Sequence, residues 1–556
     1  MHKQNTLWRW LQNICLKPRQ LTASAVLSTS ENAARVNEKD LPLGTSNKTL
    51  PMSQMPGPKG LRKLPYLGTV LMFKPFSEYS PETFGKLVSS MHDKYGHIFK
   101  SRLGKDYSVH TDSVRDVETI FRTEGAYPQR RLMLLSKIYR ERNGLPPALG
   151  TVSGPAWQEL RSALNPLLNK PQVCLHYLPA QNMVADDFVS RLDSSALTPE
   201  GQSDMFFKFA AESIGVVCFN QRLGLLDPDA DNAQEMIELL EAFKTTLHCT
   251  FVAMIGLERR YLRTDNDPFY RKYESAMKLI RKRSMHYVEK VMVELQRQSH
   301  QGEESSGSST HRLSPDRESN LLASMITKSN LEIEKILAII DSMLIAGTDS
   351  TARNLAILFY NLAINPEHQQ RAADEVLDLL GPDKPVTPEA LAKMNFLKSC
   401  VKESMRLNFP LSNGTERILN KDTILSGYLV PKGNSVIMSS SRSSLDSSNY
   451  DNPCQFQPDR WLRESSDEVS TKRLDRFATL PFGHGARGCI GRRFAEMEIY
   501  VGTAKILQKL HISVDPSYPG LDPIYTPFIT PRLMIHFIFT KRHPPVGVSM
   551  SRGTNT

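Results

Sequence analysis

The chain has 556 residues, of which 40% are hydrophobic and 23% are charged, and these proportions exclude a collagen-like or wholly disordered chain. The formal net charge of +10 comes without a dense block of Lys or Arg, so it does not indicate a nucleic-acid partner. The seven cysteines are widely spaced and form no C-x-x-C pair, which argues against a disulfide framework or zinc site and favours a reducing compartment.

The N-terminal segment has the bias of a mitochondrial targeting sequence. Residues 1–30 contain four Lys or Arg and six Ser or Thr but no Asp or Glu. Apolar residues recur at helical spacing from Leu7 to Ile14, and Pro18 ends the pattern, so a short basic amphipathic helix is predicted. A disordered tail is the alternative. No apolar run is long enough for the core of a secretory signal, and none is long enough to span a membrane.

The chain is predicted to divide into three parts. Residues 1–45 are assigned to the presequence and a polar linker, residues 46–545 to one folded domain, and residues 546–556 to a flexible tail. The Pro- and Gly-rich run from Pro56 to Gly68 is predicted to be a stiff linker leading into the fold. The polar, Ser-rich run from Gln298 to Asn320 is predicted to be a surface loop.

Helical patterns dominate the folded part, which predicts a mainly α fold with a small β portion. Short strand-like runs appear only near residues 97–110 and after residue 420. The longest helical pattern extends from Ile333 to about Ile364 and would span roughly 48 Å. It is apolar on most sides but contains Asp341 and Asp349, which is typical of a central core helix and excludes a bilayer span.

A glycine-rich loop with one cysteine is the strongest chemical signal. Four glycines in the run Phe482-Gly-His-Gly-Ala-Arg-Gly-Cys-Ile-Gly491 surround Cys489, and a helical pattern follows from Arg492. Glycines let the backbone approach a flat ligand closely. A cysteine at a helix N-terminus has its thiolate stabilised, which prepares it to bind a metal through sulfur. A tight turn with an incidental core cysteine is the structural alternative.

This loop resembles the haem-binding loop F-x-x-G-x-R-x-C-x-G of the cytochrome P450 family, the haem-thiolate monooxygenases. The resemblance implies a cytochrome P450 fold over residues 46–545 and haem b as the cofactor. It also implies Cys489 as the axial thiolate on the iron, Phe482 as a cofactor contact and Arg487 as the partner of a haem propionate.

Two further motifs resemble elements of the same family. Glu403 and Arg406 are three residues apart on a predicted helix and can form a charge-assisted pair. The run Phe456-Gln-Pro-Asp-Arg-Trp461 resembles the element whose arginine, here Arg460, completes a buried structural triad with that pair. An isolated E-x-x-R would be worthless as a motif, but the order of the three motifs matches the family.

One site upstream of these motifs also fits a ligand with two carboxylates. Trp157 and Arg161, four residues apart, place an indole N–H and a guanidinium on one helical face. In the family such a pair binds the haem propionates, although alone it is more often a core residue and a solvated arginine. Arg417 matches another propionate-binding arginine of the family. The proline after Arg406 stands one position later than the family pattern, at Pro410, so the path near Phe409–Gly414 is open.

The long helix contains Ala346-Gly-Thr-Asp-Ser-Thr351, which resembles A-G-x-D-T-T. The resemblance implies a local widening at Gly347 that admits dioxygen and water. It also implies Asp349 as the acid and Ser350 as the alcohol that together deliver protons. The family has threonine where this chain has Ser350. Serine keeps the hydroxyl but loses the methyl that restricts its rotamer, so some uncoupling to hydrogen peroxide is expected.

Basic residues near the motifs indicate the electron donor. Lys398 and Lys402 precede Glu403, and Arg492 and Arg493 follow the cysteine loop. By resemblance to the mitochondrial class, these four would dock a small acidic [2Fe–2S] ferredoxin that receives electrons from an NADPH-dependent reductase. An ordinary solvated basic face is the alternative.

A further expectation concerns membranes and localisation. The apolar run Thr250–Leu257 with the basic Arg259 and Arg260 after it suits shallow membrane insertion of a loop, and a buried loop is the alternative. Together with the presequence, this predicts a peripheral protein on the matrix side of the mitochondrial inner membrane.

The predicted reaction is insertion of one oxygen atom from O2 into a lipophilic substrate. The run Arg417–Asp422 resembles invertebrate mitochondrial members, including ecdysteroid-pathway hydroxylases, and favours a sterol or steroid substrate. Monooxygenation of foreign compounds is the alternative. A haem-thiolate isomerase, a peroxide-using enzyme and a non-catalytic haem-bound sterol or gas sensor are disfavoured because Asp349 and Ser350 are both present.

Overall fold

The computed structural model describes residues 49–194, 197–227, 233–255, 264–304, 320–329, 331–412, 414–462 and 475–542, with the backbone alone described at 194 and 298–304. The predicted presequence and C-terminal tail lie outside these residues, so the predicted division of the chain stays a prediction. The described residues belong to one unit, Thr49–Thr556.

Helices account for most of this unit, which confirms the mainly α fold. In chain order they are α1 (Leu67–Val70), α2 (Phe84–Tyr95), α3 (Val114–Thr123), α4 (Leu134–Arg142), α5 (Pro155–Leu168), α6 (Pro171–His176), α7 (Leu178–Ser194), α8 (Pro199–Phe219), α9 (Ala233–Ile255), α10 (Pro268–Glu304), α11 (Leu321–Lys328), α12 (Ile333–Ala363), α13 (Pro366–Leu380), α14 (Pro388–Lys393), α15 (Asn395–Leu407), α16 (Ser440–Ser443) and α17 (Arg492–Lys509).

The strands are short and form small sheets. They are β1 (Leu50–Pro51), β2 (Ile98–Leu103), β3 (Asp106–Thr111), β4 (Gly414–Ile418), β5 (Thr423–Leu425), β6 (Tyr428–Val430), β7 (Ser435–Ser439), β8 (Leu510–Val514), β9 (Pro523–Tyr525), β10 (Ile529–Pro531) and β11 (Phe537–Lys541). The largest sheet has the order β2-β3-β7-β4, in which β3 and β7 are parallel and the other pairs are antiparallel. A second sheet has the order β1-β6-β5.

The predicted central helix is confirmed as α12, which covers Ile333–Ala363. Helix α12 ends before Pro366, the first residue of α13, because proline has no N–H to continue the hydrogen bonds of the helix before it. Its partner α8 starts at Pro199 behind the cap residue Thr198, whose side chain accepts a hydrogen bond from the Gly201 N–H at 3.2 Å. The two helices pack together in the apolar core.

The structure corrects two expectations. The linker over Pro56–Gly68 is not free of regular structure: a 3₁₀ helix covers Gly60–Lys63, and the Lys100 N–H donates to the Pro56 carbonyl at 2.9 Å. Helix α10 continues to Glu304, past the start of the predicted polar loop, because a polar composition does not by itself end a helix. Residues 305–319 of that loop lie outside the described residues.

Candidate functional site: a cysteine loop with a guanidinium cluster

The cysteine loop is a tight turn that delivers Cys489 to the start of α17. The Cys489 N–H donates to the Phe482 carbonyl at 2.8 Å, and the Gly488 N–H donates to the Gly485 carbonyl at 2.9 Å. Gly491 is the cap residue of α17. The sulfur is therefore near the positive end of a helix dipole.

The Cys489 side chain is accessible to solvent yet closely surrounded by protein. Burial by the surrounding protein raises the pKa of the Cys489 thiol, while the Gly491 N–H and the Arg161 guanidinium oppose the rise. A thiol with a raised pKa keeps its proton until a metal ion binds, because a thiol that coordinates a metal is deprotonated. The single accessible sulfur suits one axial bond to a metal held mainly by other ligands.

Gly485 is the glycine that the loop most needs. Its φ of +70° lies in the left-handed region, and a Cβ there would lie 2.4 Å from the Glu124 Oε1 atom. Glu124 in turn accepts a hydrogen bond from the Arg417 Nε atom at 2.7 Å. A side chain at Gly485 would therefore disturb an ion pair of the site as well as the turn.

Guanidinium groups converge beside the cysteine loop. Arg161 on α5 donates to the Gly488 carbonyl at 2.9 Å. Arg417 on β4 is buried and donates to the His484 carbonyl at 3.3 Å. Arg487 lies over the Trp157 ring at 3.9 Å from its centroid. The structure thus brings the predicted cofactor residues of the loop, α5 and β4 together.

A fourth guanidinium, that of Arg130, belongs to this cluster and was missed in the sequence because no spacing or motif marks it. Burial, together with the charges of Arg130, Arg417 and Arg161, lowers the pKa of Arg487 to about 9. Glu124 is the carboxylate that opposes them. The cluster therefore has excess positive charge and favours an anionic ligand.

Unpaired atoms support the same conclusion. Arg161 Nε and Arg487 Nη1 are buried and have no hydrogen-bond partner among the described residues. Buried donors without partners are costly, so they indicate a ligand with acceptor oxygens. The two propionate carboxylates of haem b fit this donor set, and an axial thiolate fits Cys489. The residues present therefore fit the cofactor that the motif implies.

On α12, Asp349 and Ser350 lie next to one another but have different partners. Asp349 is buried, and its Oδ1 atom accepts from Arg353 Nε at 2.9 Å. Burial raises the pKa of Asp349, and Arg353 opposes the rise. The Ser350 hydroxyl donates to the Ala346 carbonyl at 2.8 Å. Both groups can hold a proton, but they are not hydrogen-bonded to each other, and the buried Asp349 Oδ2 atom has no hydrogen-bond partner among the described residues.

The segment around Gly347 is α-helical throughout, and the expected widening of α12 there stays a prediction. Gly347 has another use in this structure: a Cβ there would lie 2.9 Å from the Ile214 Cγ1 atom of α8. The missing side chain therefore lets α8 approach α12 closely.

The predicted triad comes together in the core. Glu403 and Arg406 are fully buried and form two hydrogen bonds, from Nε at 2.9 Å and from Nη2 at 2.8 Å. Arg460 Nε donates to Glu403 at 3.1 Å, and the Trp461 indole N–H donates to it at 2.8 Å. The role of Trp461 was not predicted.

After this triad, the chain near Phe409 takes a defined path. Phe409 is buried, and the Ile529 N–H donates to the Pro410 carbonyl at 2.9 Å. Leu411 forms an antiparallel bridge with Phe528. The delayed proline therefore directs this segment against β10.

The four predicted docking residues lie on helices that pack together, α15 and α17. Lys402, Arg492 and Arg493 are exposed. Lys398 is half-buried and donates to the Ala392 carbonyl at 3.0 Å. Burial lowers the pKa of Lys398, and the charge of Lys402 adds to this effect.

The run predicted as an apolar loop tip begins inside a helix. Thr250–Ile255 is the end of α9, where Phe251 and Ile255 are buried and Met254 is 44% exposed. The rest of the run lies outside the described residues. The part that is described therefore follows the buried alternative. In the described parts of the chain, no helix combines the length and the apolar character that crossing a bilayer requires.

Comparison with known proteins gives one family. The model of the family "Cytochrome P450" matches residues 58–538. The chain is 32% identical to zebrafish "Cytochrome P450 27C1" over 81% of each chain. It is 29% identical to rat "1,25-dihydroxyvitamin D(3) 24-hydroxylase, mitochondrial" over 92% of this chain and 93% of the relative. It is 30% identical to rabbit "Sterol 26-hydroxylase, mitochondrial" over 87% of this chain and 89% of the relative.

Proposed function

The chain belongs to the cytochrome P450 family and is a monooxygenase, and on that premise we propose that it hydroxylates a sterol or steroid with electrons from a mitochondrial ferredoxin. The observation that carries the site assignment is the accessible Cys489 beside a cluster of guanidinium groups, two of which have buried, unpaired donor atoms among the described residues. The names of two relatives, a vitamin D hydroxylase and a sterol hydroxylase, support the substrate class.

The proposed cofactor site uses residues from four parts of the chain. Cys489 would ligate the iron of haem b through its thiolate, and Arg130, Arg161, Arg417 and Arg487 would hold the propionates. When bound, the haem supplies the activation of dioxygen, and the thiolate favours cleavage of the O–O bond. The Trp157 ring supports the Arg487 guanidinium at 3.9 Å, so it orients a propionate ligand.

Protons reach the reacting oxygen through Asp349 and Ser350. Asp349 is held by Arg353 on the next turn of α12, which keeps its position fixed. The Ser350 hydroxyl can rotate away from the Ala346 carbonyl, because serine lacks the methyl that would restrict it. The alcohol therefore serves as a mobile donor and the acid as its proton source.

The electron donor is a small acidic [2Fe–2S] ferredoxin served by an NADPH-dependent reductase. Lys402, Arg492 and Arg493 offer it an exposed basic face next to the helix that begins at the cysteine loop. We also assign the protein to the matrix side of the mitochondrial inner membrane. Relatives that are named mitochondrial support the organelle.

The absorption spectrum of the reduced, carbon-monoxide-bound protein tests this proposal. Protein lacking residues 1–45 is expected to show the red-shifted Soret band of a thiolate-ligated haem, and Cys489→His is expected to abolish it. Arg487→Met should lower haem content without removing the band, because Arg487 binds the propionate edge only. Absence of the band in well-folded wild-type protein would overturn the site assignment.

The substrate class needs a second measurement. Titration with 25-hydroxycholesterol is expected to shift the spin state of the haem iron at lower concentration than titration with 7-ethoxycoumarin. The reverse order would favour the monooxygenation of foreign compounds.

A further inference from the structure

Glu498 is a buried carboxyl group that the proposed function does not use. It lies on α17, the helix that starts directly after the cysteine loop, and its exposed fraction is 1%. The Thr351 hydroxyl, on α12, lies 3.4 Å from its Oε2 atom. Its Oε1 atom is buried and has no hydrogen-bond partner among the described residues.

Among the described residues, no positively charged group contributes to the pKa shift of Glu498. The groups facing it are the Thr351 hydroxyl on α12, the Cys174 thiol on α6 and the Cys218 thiol on α8. Burial raises the pKa of Glu498 to about 8, and the hydrogen bond from Thr351 opposes the rise. A lone buried carboxylate is expensive, so the group is mainly a neutral acid at pH 7.

A neutral acid at this place links two parts of the site. Thr351 directly follows Ser350 on α12, and Glu498 is on the helix that follows Cys489. An apolar side chain of similar volume would fill the same space without the cost of burying a polar group. A buried acid next to a proton-delivering segment is instead typical of functional sites.

We propose that Glu498, buried and hydrogen-bonded to Thr351, is a positioning residue that holds the Asp349–Ser350 turn of α12 in place relative to the helix after the cysteine loop. This proposal rests on the proposed function, because it assigns Glu498 a role in proton delivery by Asp349 and Ser350. Glu498 acts through Thr351 and does not itself contact the reacting atoms.

The first test concerns folding alone and needs no turnover. Because the pKa of Glu498 is raised in the folded state, its contribution to stability is complete below its unfolded value and is lost as the pH rises through about 8. The urea midpoint of the wild-type protein should therefore fall between pH 6.5 and pH 9 more steeply than that of Glu498→Gln, which cannot ionise. Parallel curves would overturn the neutral-acid assignment.

The second test separates positioning from simple packing. The measured quantity is hydrogen peroxide released per dioxygen consumed during turnover with NADPH, reductase and ferredoxin, without added substrate. In the wild-type protein this ratio should rise with a midpoint near pH 8. In Glu498→Gln it should stay at the low-pH value, and in Glu498→Leu and Thr351→Val it should be high at every pH.

Two further variants serve as controls. Thr351→Ser keeps the hydroxyl that donates to Glu498 and should therefore release less peroxide than Thr351→Val. Thr503→Val removes a buried hydroxyl of α17 that donates only to the Ile499 carbonyl, at 2.6 Å, and should leave the ratio unchanged.

The two proposals fail in different ways. If the wild-type protein lacks the thiolate-type spectrum, the proposed function is wrong. If the spectrum is present but Glu498→Leu and Thr351→Val release peroxide as the wild-type protein does, Glu498 is not a positioning residue.

Discussion

Glu403 is a single buried side chain that accepts hydrogen bonds from several parts of the chain. Its two oxygens accept hydrogen bonds from Arg406, Arg460 and the Trp461 indole, and the Gln457 N–H adds a fourth partner at 3.0 Å. Arg406 uses its other donors on the carbonyls of Ser444, Pro453 and Gln455. The network is fully satisfied, which is the condition under which a buried ion pair fixes one arrangement of the chain.

We expect Glu403→Ala to destabilise the protein by about 3–5 kcal/mol, because it leaves the Arg406 charge buried without its partner. Urea unfolding measures this. The matched control is Arg122→Met, which breaks the exposed pair of Arg122 with Glu118 and should cost about 0.5 kcal/mol or less. Similar losses in the two variants would contradict the importance of the buried network.

Ser350 allows a prediction about coupling. Replacing it with threonine restores the methyl that restricts the hydroxyl, so Ser350→Thr should lower the hydrogen peroxide released per product formed. The measurement is peroxide and product yield with the same substrate at one pH. An unchanged ratio would show that the rotamer freedom of Ser350 does not cause uncoupling.

Among the helices, the crossing of α8 and α12 depends on Gly347. Its Cα faces Ile214, and the 2.9 Å distance from a Cβ to Ile214 Cγ1 leaves no room for a methyl group. A displacement of α12 away from α8 would also move Asp349, which lies two residues further along α12. The packing of this pair therefore sets where the proton-delivering residues lie.

Gly347→Ala is expected to destabilise the protein, because overpacking costs about 1–3 kcal/mol while the gain in helix propensity is about 1 kcal/mol. Urea unfolding should show a smaller loss when the same change is made in the Ile214→Ala background, where space is available. An equal loss in both backgrounds would refute the steric explanation.

The sheet β2-β3-β7-β4 contains a pH-sensitive residue. His110 on β3 is fully buried, its ring stacks on Phe99 with centroids 4.6 Å apart, and its Nε2 atom lies 2.9 Å from the Ser101 hydroxyl. Burial, together with the charges of His92 and Arg131, lowers the pKa of His110 to about 3. The ring therefore stays neutral in the folded protein.

Because the folded pKa of His110 lies below its unfolded value, its contribution to stability is present above about pH 6.5 and is lost as the pH falls toward 3. Between pH 6 and pH 4 the loss should be about 1.4 kcal/mol per pH unit. His110→Gln should remove this part of the acid sensitivity, whereas His286→Gln, at an exposed position, should not. Acid titration of urea unfolding distinguishes the variants.

At the scale of the whole molecule, the net charge of +10 affects association with a partner most where basic residues are concentrated. The faces of α15 and α17 combine Lys402, Arg492 and Arg493 in exposed positions. A rim of like charge accelerates association with an acidic partner, and salt screens this effect. The half-buried Lys398 is tied to the Ala392 carbonyl and should contribute less than sequence spacing suggests.

Lys402→Glu and Arg493→Glu should therefore weaken ferredoxin-supported turnover and flatten its dependence on ionic strength, and Lys398→Glu should do so less. Lys541→Glu makes the same charge change at a residue whose side chain is 74% exposed elsewhere and is the control. Turnover between low and high salt measures the effect. A salt-independent wild-type rate would argue against an electrostatic docking face.

Much of this site could be predicted because its residues are close in sequence. The cysteine loop, the Glu403–Arg406 pair and α12 each lie in one continuous segment, where spacing and periodicity are visible. Arg130 and Glu498 could not be predicted, because their roles depend on residues brought from distant segments. Phe251 and Ile255 show another limit: an apolar run fits a membrane surface and a protein core equally well until its neighbours are known.

Strand β1 has a consequence for how the protein is processed. The Leu50 N–H donates to the Gly427 carbonyl at 3.0 Å, and Leu50 and Pro51 pair in parallel with β6. A peptidase binds its substrate as an extended, accessible segment, so the folded protein can be trimmed only up to this strand. If the proposed presequence is removed, the new N-terminus that preserves the fold lies at or before Leu50, and a cut beyond Pro51 would leave β6 as an open edge.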